Sequence, residues 1–326
     1  MAAIKGITAS TTAVSPSVRT VTIDSERAGQ RLDNFLLGQF KGAPRSLIYR
    51  LLRTGQVRIN GKRVKPDRRL EENDQVRLPP VRLDAPADHG SPHPALLAQI
   101  EASIVFEDRA LLVLDKPSGI ASHGGSGIGF GAIELMRALR PKDSLELVHR
   151  LDRDTSGILV LAKKRSALTE LQALIRAGKL EKRYLALLIG QMGKPLIHVD
   201  APLEKFVLQG GERMVRVLPS GKASLSHFKQ IERFAAYTYA EIKIDTGRTH
   251  QIRVHGAHIG HPLAGDEKYG DKAANQALKS VGLQRLFLHA ASLKFALKDG
   301  AEPYLLSAPL PAALKVVIDR LGAASR

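Results

Sequence analysis

Apolar positions recur along this chain at helical spacing in some stretches and in alternation in others, and the changes of period divide it. Leu32, Phe35 and Leu36 sit one helical turn apart, and Leu47, Ile48, Leu51 and Leu52 line one face of a second predicted helix. Pro44 suits the first turn of that helix and Gly55 its end, while Arg45, Arg50 and Arg53 fall off the apolar stripe and project outward. Val57-Arg58-Ile59-Asn60-Gly61-Lys62-Arg63-Val64 carries Asn-Gly between short alternating segments, a strong hairpin signal, with Val57 and Ile59 inward and Arg58 outward. Gln75-Val76-Arg77-Leu78 reads as a closing strand. Further on, 111–114, 158–161 and 242–244 read as strands, and Leu314, Val317, Ile318 and Leu321 repeat as one face of a last helix.

These elements predict a flexible tail at 1–20, a small α/β module at 21–83, a Pro- and Ala-rich linker at 84–98, and a larger domain at 99–326. Strands and helices do not alternate strictly, so the expected class is α+β rather than a doubly wound sheet. With 326 residues and 44% hydrophobic positions, two packed domains are expected. The absence of cysteine excludes disulfides, thiolate metal sites and cysteine nucleophiles, and suits a reducing cytoplasm. No apolar run reaches the roughly 18 residues of a membrane span. The first 20 residues lack the apolar core of a secretory signal; they also lack acidic residues, which leaves a transit peptide open.

Charge sharpens the picture. The net charge is +17, and ten basic residues against Asp67 alone put nine net positive charges between Lys41 and Arg69. A polyanion is the expected partner, nucleic acid before an anionic membrane. Lys41, Arg45, Arg50, Arg53, Arg58, Lys62, Arg63 and Lys65 are the candidate nucleic-acid contacts.

Several common chemistries fail on spacing. The glycine-rich stretch 124–131 satisfies neither G-x-G-x-x-G nor G-x-S-x-G, and no Gly-Lys pair is followed by Ser or Thr. That stretch reads as a surface loop or as a place where a nucleic-acid backbone approaches closely. His250, His255, His258 and His261 crowd into 12 residues without matching H-E-x-x-H, so structural or RNA-contacting histidines are expected rather than a metal site. Two polar segments stand out. At 148–160 a charge-dense loop with Asp152 precedes an apolar strand, either as a solvated turn or as a site. At 247–255 alternation predicts a strand, with Ile252 and Val254 facing the core and Gln251, Arg253 and His255 on the other face. An Arg held there is a candidate partner for a buried carboxylate.

Together these segments resemble the RluA-type family of RNA pseudouridine synthases. His149-Arg150-Leu151-Asp152 with Thr155-Ser156-Gly157 matches one family signature, and Gly247-Arg248-Thr249-His250-Gln251-Ile252-Arg253-Val254-His255 another. Gly260-His261-Pro262, Gly265-Asp266 and Tyr269-Gly270 continue the second. Lys116-Pro117-Ser118-Gly119 with His123-Gly124-Gly125, Lys182-Arg183-Tyr184-Leu185-Ala186-Leu187, and Leu288-His289-Ala290 with Leu293 and Phe295 resemble further motifs of the family. The basic module at 21–83 resembles the alpha-L RNA-binding domain of ribosomal proteins, a resemblance that makes RNA the nucleic acid expected at its basic residues.

The resemblance implies a catalytic domain built on a mixed, mainly antiparallel sheet with flanking helices. It implies isomerisation of uridine to pseudouridine in large-subunit (23S) ribosomal RNA, on naked RNA or an assembly intermediate, in the cytoplasm, by a monomer with no cofactor, metal or membrane. By position in the motifs, Asp152 is the catalytic carboxylate, Arg253 its partner, Tyr184 the face for the flipped uracil, and Leu288 the apolar wall beneath it. His149, Arg150 and Gln251 are expected to hold substrate or its loop, and Asp154 to be structural. Asp152 attacking C1′, attacking C6, or promoting elimination to a glycal all remain open. The competing readings are a non-catalytic RNA-binding assembly factor and an RNA N-glycosidase.

Overall fold

The computed structural model describes residues 17–25, 27–40, 43–81, 90–125, 129–298 and 302–324. The chain divides into two compact units between Gly90 and Ser91. Most of the tail read at 1–20, Lys41, part of the linker read at 84–98, and residues 126–128 of the glycine-rich stretch lie outside the described residues.

The first unit runs β1 (Arg19–Thr22), α1 (Leu32–Gln39), α2 (Arg45–Arg53), β2 (Arg58–Ile59) and β3 (Gln75–Leu78). Its sheet has the order β1-β3-β2, so the strand read as closing is the central one. Leu32, Phe35 and Leu36 from α1 meet Ile48, Leu51 and Leu52 from α2 over Val57, Ile59, Val76 and Leu78. The turn at Asn60-Gly61 holds, both residues having positive φ, 50° and 78°, but the returning arm makes a single bridge, Ile59 to Lys62, and β2 pairs with β3 rather than with residues 62–64.

The second unit opens with α3 (Pro94–Glu101), so residues 94–98, read as linker, begin a helix. Pro94 occupies its first turn, and the His93 side chain accepts from the Ala95 N–H at 3.2 Å. There follow β4 (Ile104–Glu107), β5 (Leu111–Lys116), α4 (Ala132–Leu139), β6 (Glu146–Leu147), β7 (Ser156–Ala162), α5 (Arg165–Arg176), β8 (Glu181–Ile189), β9 (Leu196–Asp200), β10 (Leu203–Val207), β11 (Arg213–Val217), β12 (Leu225–Arg233) and β13 (Tyr237–Ile244). The chain ends with α6 (Gln251–His258), α7 (Lys272–Ser280), β14 (Leu288–Phe295), β15 (Tyr304–Ser307) and α8 (Ala312–Ala324).

A 10-stranded sheet carries the order β4-β5-β7-β14-β8-β13-β12-β9, with β15 beside β14 and β6 beside β7. The β7–β14 pair is parallel and the other pairs are antiparallel. The apolar runs of β5 and β7 follow from cover on both faces. One face packs on Ala167, Leu168 and Leu171 of α5, the other on Ile100 of α3 and Ile133, Leu135 and Met136 of α4. Gly157 is required where β7 meets β14: its φ is 111°, and a Cβ there would lie 2.2 Å from the Ala290 carbonyl oxygen.

The strand expected over 247–255 is absent: residues 247–250 run through a turn ending at His250 in the left-handed region, and 251–255 begin α6. All of Gln251–Gly256 is buried, polar and apolar alike, so apolar periodicity could not reveal the helix. Its buried polar groups are bonded one by one. The Gln251 amide donates to Leu225 O and Ser226 Oγ, while His255 lies 2.9 Å from both Ser226 Oγ and Ala201 O.

Candidate active site

Asp152 sits in the loop between β6 and β7, and the segment 116–122 grips that loop on both sides of it. Ser122 Oγ donates to Leu151 O at 2.7 Å and accepts from Leu151 N–H at 2.9 Å. Beyond Asp152, Gly119 N–H donates to Arg153 O and Ser118 Oγ to Asp154 O. The wholly buried Lys116 donates to the carbonyls of Pro117, Ile120 and Arg153, at 2.8, 2.7 and 3.2 Å. Burial, with Arg285 adding to it, pushes its ammonium down to about 7. His149 fastens the loop to the sheet: its Nε2 accepts from Val160 N–H at 3.2 Å. Burial, with Lys182 nearby, holds that imidazole neutral, its pKa down to about 4. His149 therefore serves the loop.

The Asp152 side chain is 30% exposed and the Arg253 side chain 6%. Arg253 Nη1 approaches Asp152 Oδ2 at 3.9 Å, while Nε and Nη2 make a bidentate pair with Asp266, both bonds 2.7 Å. Burial opposes the Asp266 charge, yet Arg253 and the N–H groups of Tyr269 and Lys268 more than offset it and hold the carboxyl below its ordinary value. The Arg253 guanidinium also stands over the Tyr269 ring, 5.1 Å from its centroid. His250 Nε2 reaches Asp152 Oδ2 from another side, at 4.0 Å.

Around this carboxylate a cleft is lined by Arg150, Thr155, Tyr184, Ile244, Arg248, Gln251, Arg253 and Leu288. The structure thus gathers six of the seven expected catalytic and substrate residues in one cleft; His149 lies behind it. Tyr184 packs between two hydrophobic clusters, and burial, with the Asp152 charge adding to it, pushes its phenol up, so it stays protonated. Leu288 is buried at the start of β14. Arg150 is exposed at the rim. The Gln251 side chain is spent on the fold, accepting from Thr246 Oγ1 at 2.7 Å and Arg248 N–H at 3.0 Å as well as donating. Asp154 faces its neighbour Arg153, 3.1 Å away. Sequence reasoning assigned no role to Asp266 or Tyr269 and read His250 only as a structural or RNA-contacting histidine, although all three lie within the quoted motifs. The clustered histidines turn to different partners, His261 to the Ile189 carbonyl, and no group among the described residues is arranged to hold a metal ion.

In the first unit Arg45, Arg50, Arg53, Arg58, Lys62, Arg63 and Lys65 are all exposed. Arg50, Arg53, Arg63 and Lys65 converge on a cleft of about 790 Å³ that also carries Ser46, Tyr49 and Pro66. Arg45, Arg58 and Lys62 lie outside it, and Arg58 is engaged by the Gly55 and Gly61 carbonyls. Tyr49 is 42% exposed, with its hydroxyl on Asp33, which Arg31 grips with two bonds.

The family model for RNA pseudouridylate synthase matches residues 110–258, and that for the S4 domain matches 30–76. The chain is 52% identical to ribosomal large subunit pseudouridine synthase C of Salmonella typhimurium, over 92% of this chain and 95% of that one. It is 51% identical to the Escherichia coli K12 protein of the same name, over 94% and 97%. The chain belongs to the RNA pseudouridylate synthase family. Among solved structures of such proteins, human RNA pseudouridylate synthase domain containing 4 is similar at a TM-score of 0.58 and 26% identity, covering 70% of this chain and 96% of that one. The pseudouridylate synthase match takes in Asp152, Tyr184 and Arg253, while Asp266 and Leu288 lie beyond it. The S4 match contains every basic residue of the first unit's cleft.

Proposed function

We propose that this protein isomerises uridine to pseudouridine in large-subunit (23S) ribosomal RNA, with Asp152 as the catalytic carboxylate. The observation that carries the reading is the half-exposed Asp152 carboxylate, facing the cleft between Arg253 and His250 with Tyr184 and Leu288 on its walls. In the reaction the bond from ribose C1′ to N1 breaks, the base turns, and C1′ bonds to C5. C5 loses a proton and N1 gains one, so atoms balance and no electrons enter or leave. An anion beside the sugar, a flat face for the detached base and restricted water meet these demands.

Asp152 supplies the anion, acting at C1′, at C6 or through a glycal. Arg253, fixed by Asp266, stands beside it as a positive charge, 3.9 Å from Oδ2. Tyr184 and Leu288 hold the uracil, and Arg150 stands at the rim where the RNA strand enters. The target nucleotide has to leave its stack, at a cost of a few kcal/mol. Arg50, Arg53, Arg63 and Lys65 of the first unit offset part of that by binding neighbouring phosphates. The substrate is 23S RNA, naked or within an assembling particle, met in the cytoplasm by a monomer.

The test is incubation with unmodified 23S RNA, followed by carbodiimide treatment and mapping of primer-extension stops. New stops with wild type and none with Asp152→Asn are expected. Undiminished stops with the variant overturn the role of Asp152, and free uracil in place of stops overturns isomerisation.

A further inference from the structure

His250 adopts φ 53° and ψ 18°, a left-handed conformation that a histidine seldom takes, at the residue preceding α6. This conformation sets its ring between two partners. On one side Nδ1 lies 2.8 Å from Tyr269 Oη, and on the other Nε2 faces Asp152 Oδ2 at 4.0 Å. The Tyr269 hydroxyl already accepts from the Val215 N–H at 3.0 Å. Its own proton is therefore free for Nδ1, and burial pushes the phenol up, so that proton stays in place. With Nδ1 accepting, a neutral imidazole carries its hydrogen on Nε2. Burial favours the neutral ring; of the charged groups around it, Asp152 and Asp266 oppose this, and Arg253 and Lys268 support it.

We propose that His250 is a positioning residue that presents Nε2–H to the catalytic carboxylate. Arg253 Nη1 and His250 Nε2 both approach the same oxygen, Oδ2. That leaves Oδ1 as the oxygen turned to the sugar. The 4.0 Å separation closes to a hydrogen bond of about 2.8 Å when RNA fills the cleft, as active-site contacts commonly tighten with substrate bound. Val215 lies on β11, so the β10–β11 hairpin is joined to Asp152 through Tyr269 and His250.

This inference rests on the uridine reading, and the experiment separates the two. Single-turnover release of tritium from a 23S transcript carrying [5-³H]uridine is measured beside RNA affinity. His250→Asn tolerates the left-handed backbone but is too short to reach Asp152. It is expected to slow release about ten- to a hundredfold with unchanged affinity, the effect of losing a hydrogen bond to a charged group. His250→Gln places an amide N–H near the lost Nε2 and is expected to recover most of the rate. Tyr269→Phe, which leaves the ring but frees Nδ1, is expected to fall between them. In ¹⁵N-histidine-labelled wild-type protein, long-range ¹H–¹⁵N spectra are expected to show His250 protonated at Nε2, a readout independent of any variant. A wild-type rate in His250→Asn, equal loss in the Gln and Asn variants, or protonation at Nδ1 overturns the proposal. Absence of tritium release from wild type overturns the uridine reading itself.

Discussion

Arg253 gives its two shortest hydrogen bonds to Asp266, and Asp152 receives only its third nitrogen, at 3.9 Å. The guanidinium is thus fixed independently of Asp152. An arginine held by Asp152 alone would share one rotamer freedom with it; an arginine held by Asp266 offers Asp152 a stationary charge.

Asp266→Asn should therefore damage both stability and activity. It removes one partner of a buried pair and leaves Arg253 with only the more distant Asp152 opposite its charge, at a cost of up to about 3–5 kcal/mol. Arg253→Lys, which keeps charge but not the two-pronged geometry, should lose activity by more than its fall in melting temperature suggests. Thermal melts and single-turnover rates on the same preparations check both. A wild-type melting temperature for Asp266→Asn would show the pair to be dispensable.

Acid should expose the same pair. The folded pKa of Asp266 lies below the unfolded value of about 3.9, so the unfolded chain takes up the proton first. The stability it contributes is complete above about pH 5 and drains away as pH falls through the folded value. Denaturation of the full chain followed from pH 6 downward should show a shallower loss in Asp266→Asn than in wild type. Parallel curves would mean that the carboxyl does not titrate differently in the two states.

Much of the fold was legible because its elements bury one face or none of their polar groups. Ile48, Leu51 and Leu52 in α2, and Leu314, Val317 and Leu321 in α8, are buried as their spacing predicted. The helix at 251–258 was not legible, since Gln251, Arg253 and His255 are as buried as Ile252 and Val254 and each finds its own polar partner. Reading that segment as a strand hid the link between His250 and Asp152, because the ring's direction follows from one left-handed residue. Asp266 was hidden for a different reason. Its partnership with Arg253 spans thirteen residues across a turn, and nothing in the local pattern says that the arginine's first claim lies there. The start of α3 had a signal in Pro94, masked by the Pro- and Ala-rich composition around it.

Tyr184 offers the cleft a ring and a hydroxyl, and its protonated phenol cannot act as an anion at neutral pH. If its ring stacks on the uracil as proposed, that contact is worth about 1–3 kcal/mol for a single base. Tyr184→Phe should keep RNA affinity close to wild type, while Tyr184→Ala should lose about ten- to a hundredfold in kcat/KM. Equal losses in the two variants would transfer the role to the hydroxyl.

The first unit's contribution should be read in salt rather than in affinity alone. Four cations, Arg50, Arg53, Arg63 and Lys65, converge on one cleft beside Tyr49. If all four meet single-stranded phosphates, log K against log salt should have a slope near −2.8 from this unit, at about −0.7 for each contact. Arg50→Ala with Arg53→Ala should flatten the slope by about 1.4. Arg58→Ala should flatten it less, because that guanidinium already serves the Gly55 and Gly61 carbonyls. Both sets of variants keep the buried face of α2 and the hairpin's Asn60-Gly61 turn, so folding is not the quantity being changed. Titrations at several salt concentrations separate the two sites; a slope untouched by the double variant would move the phosphate contacts to other residues and leave the cleft without its assigned role.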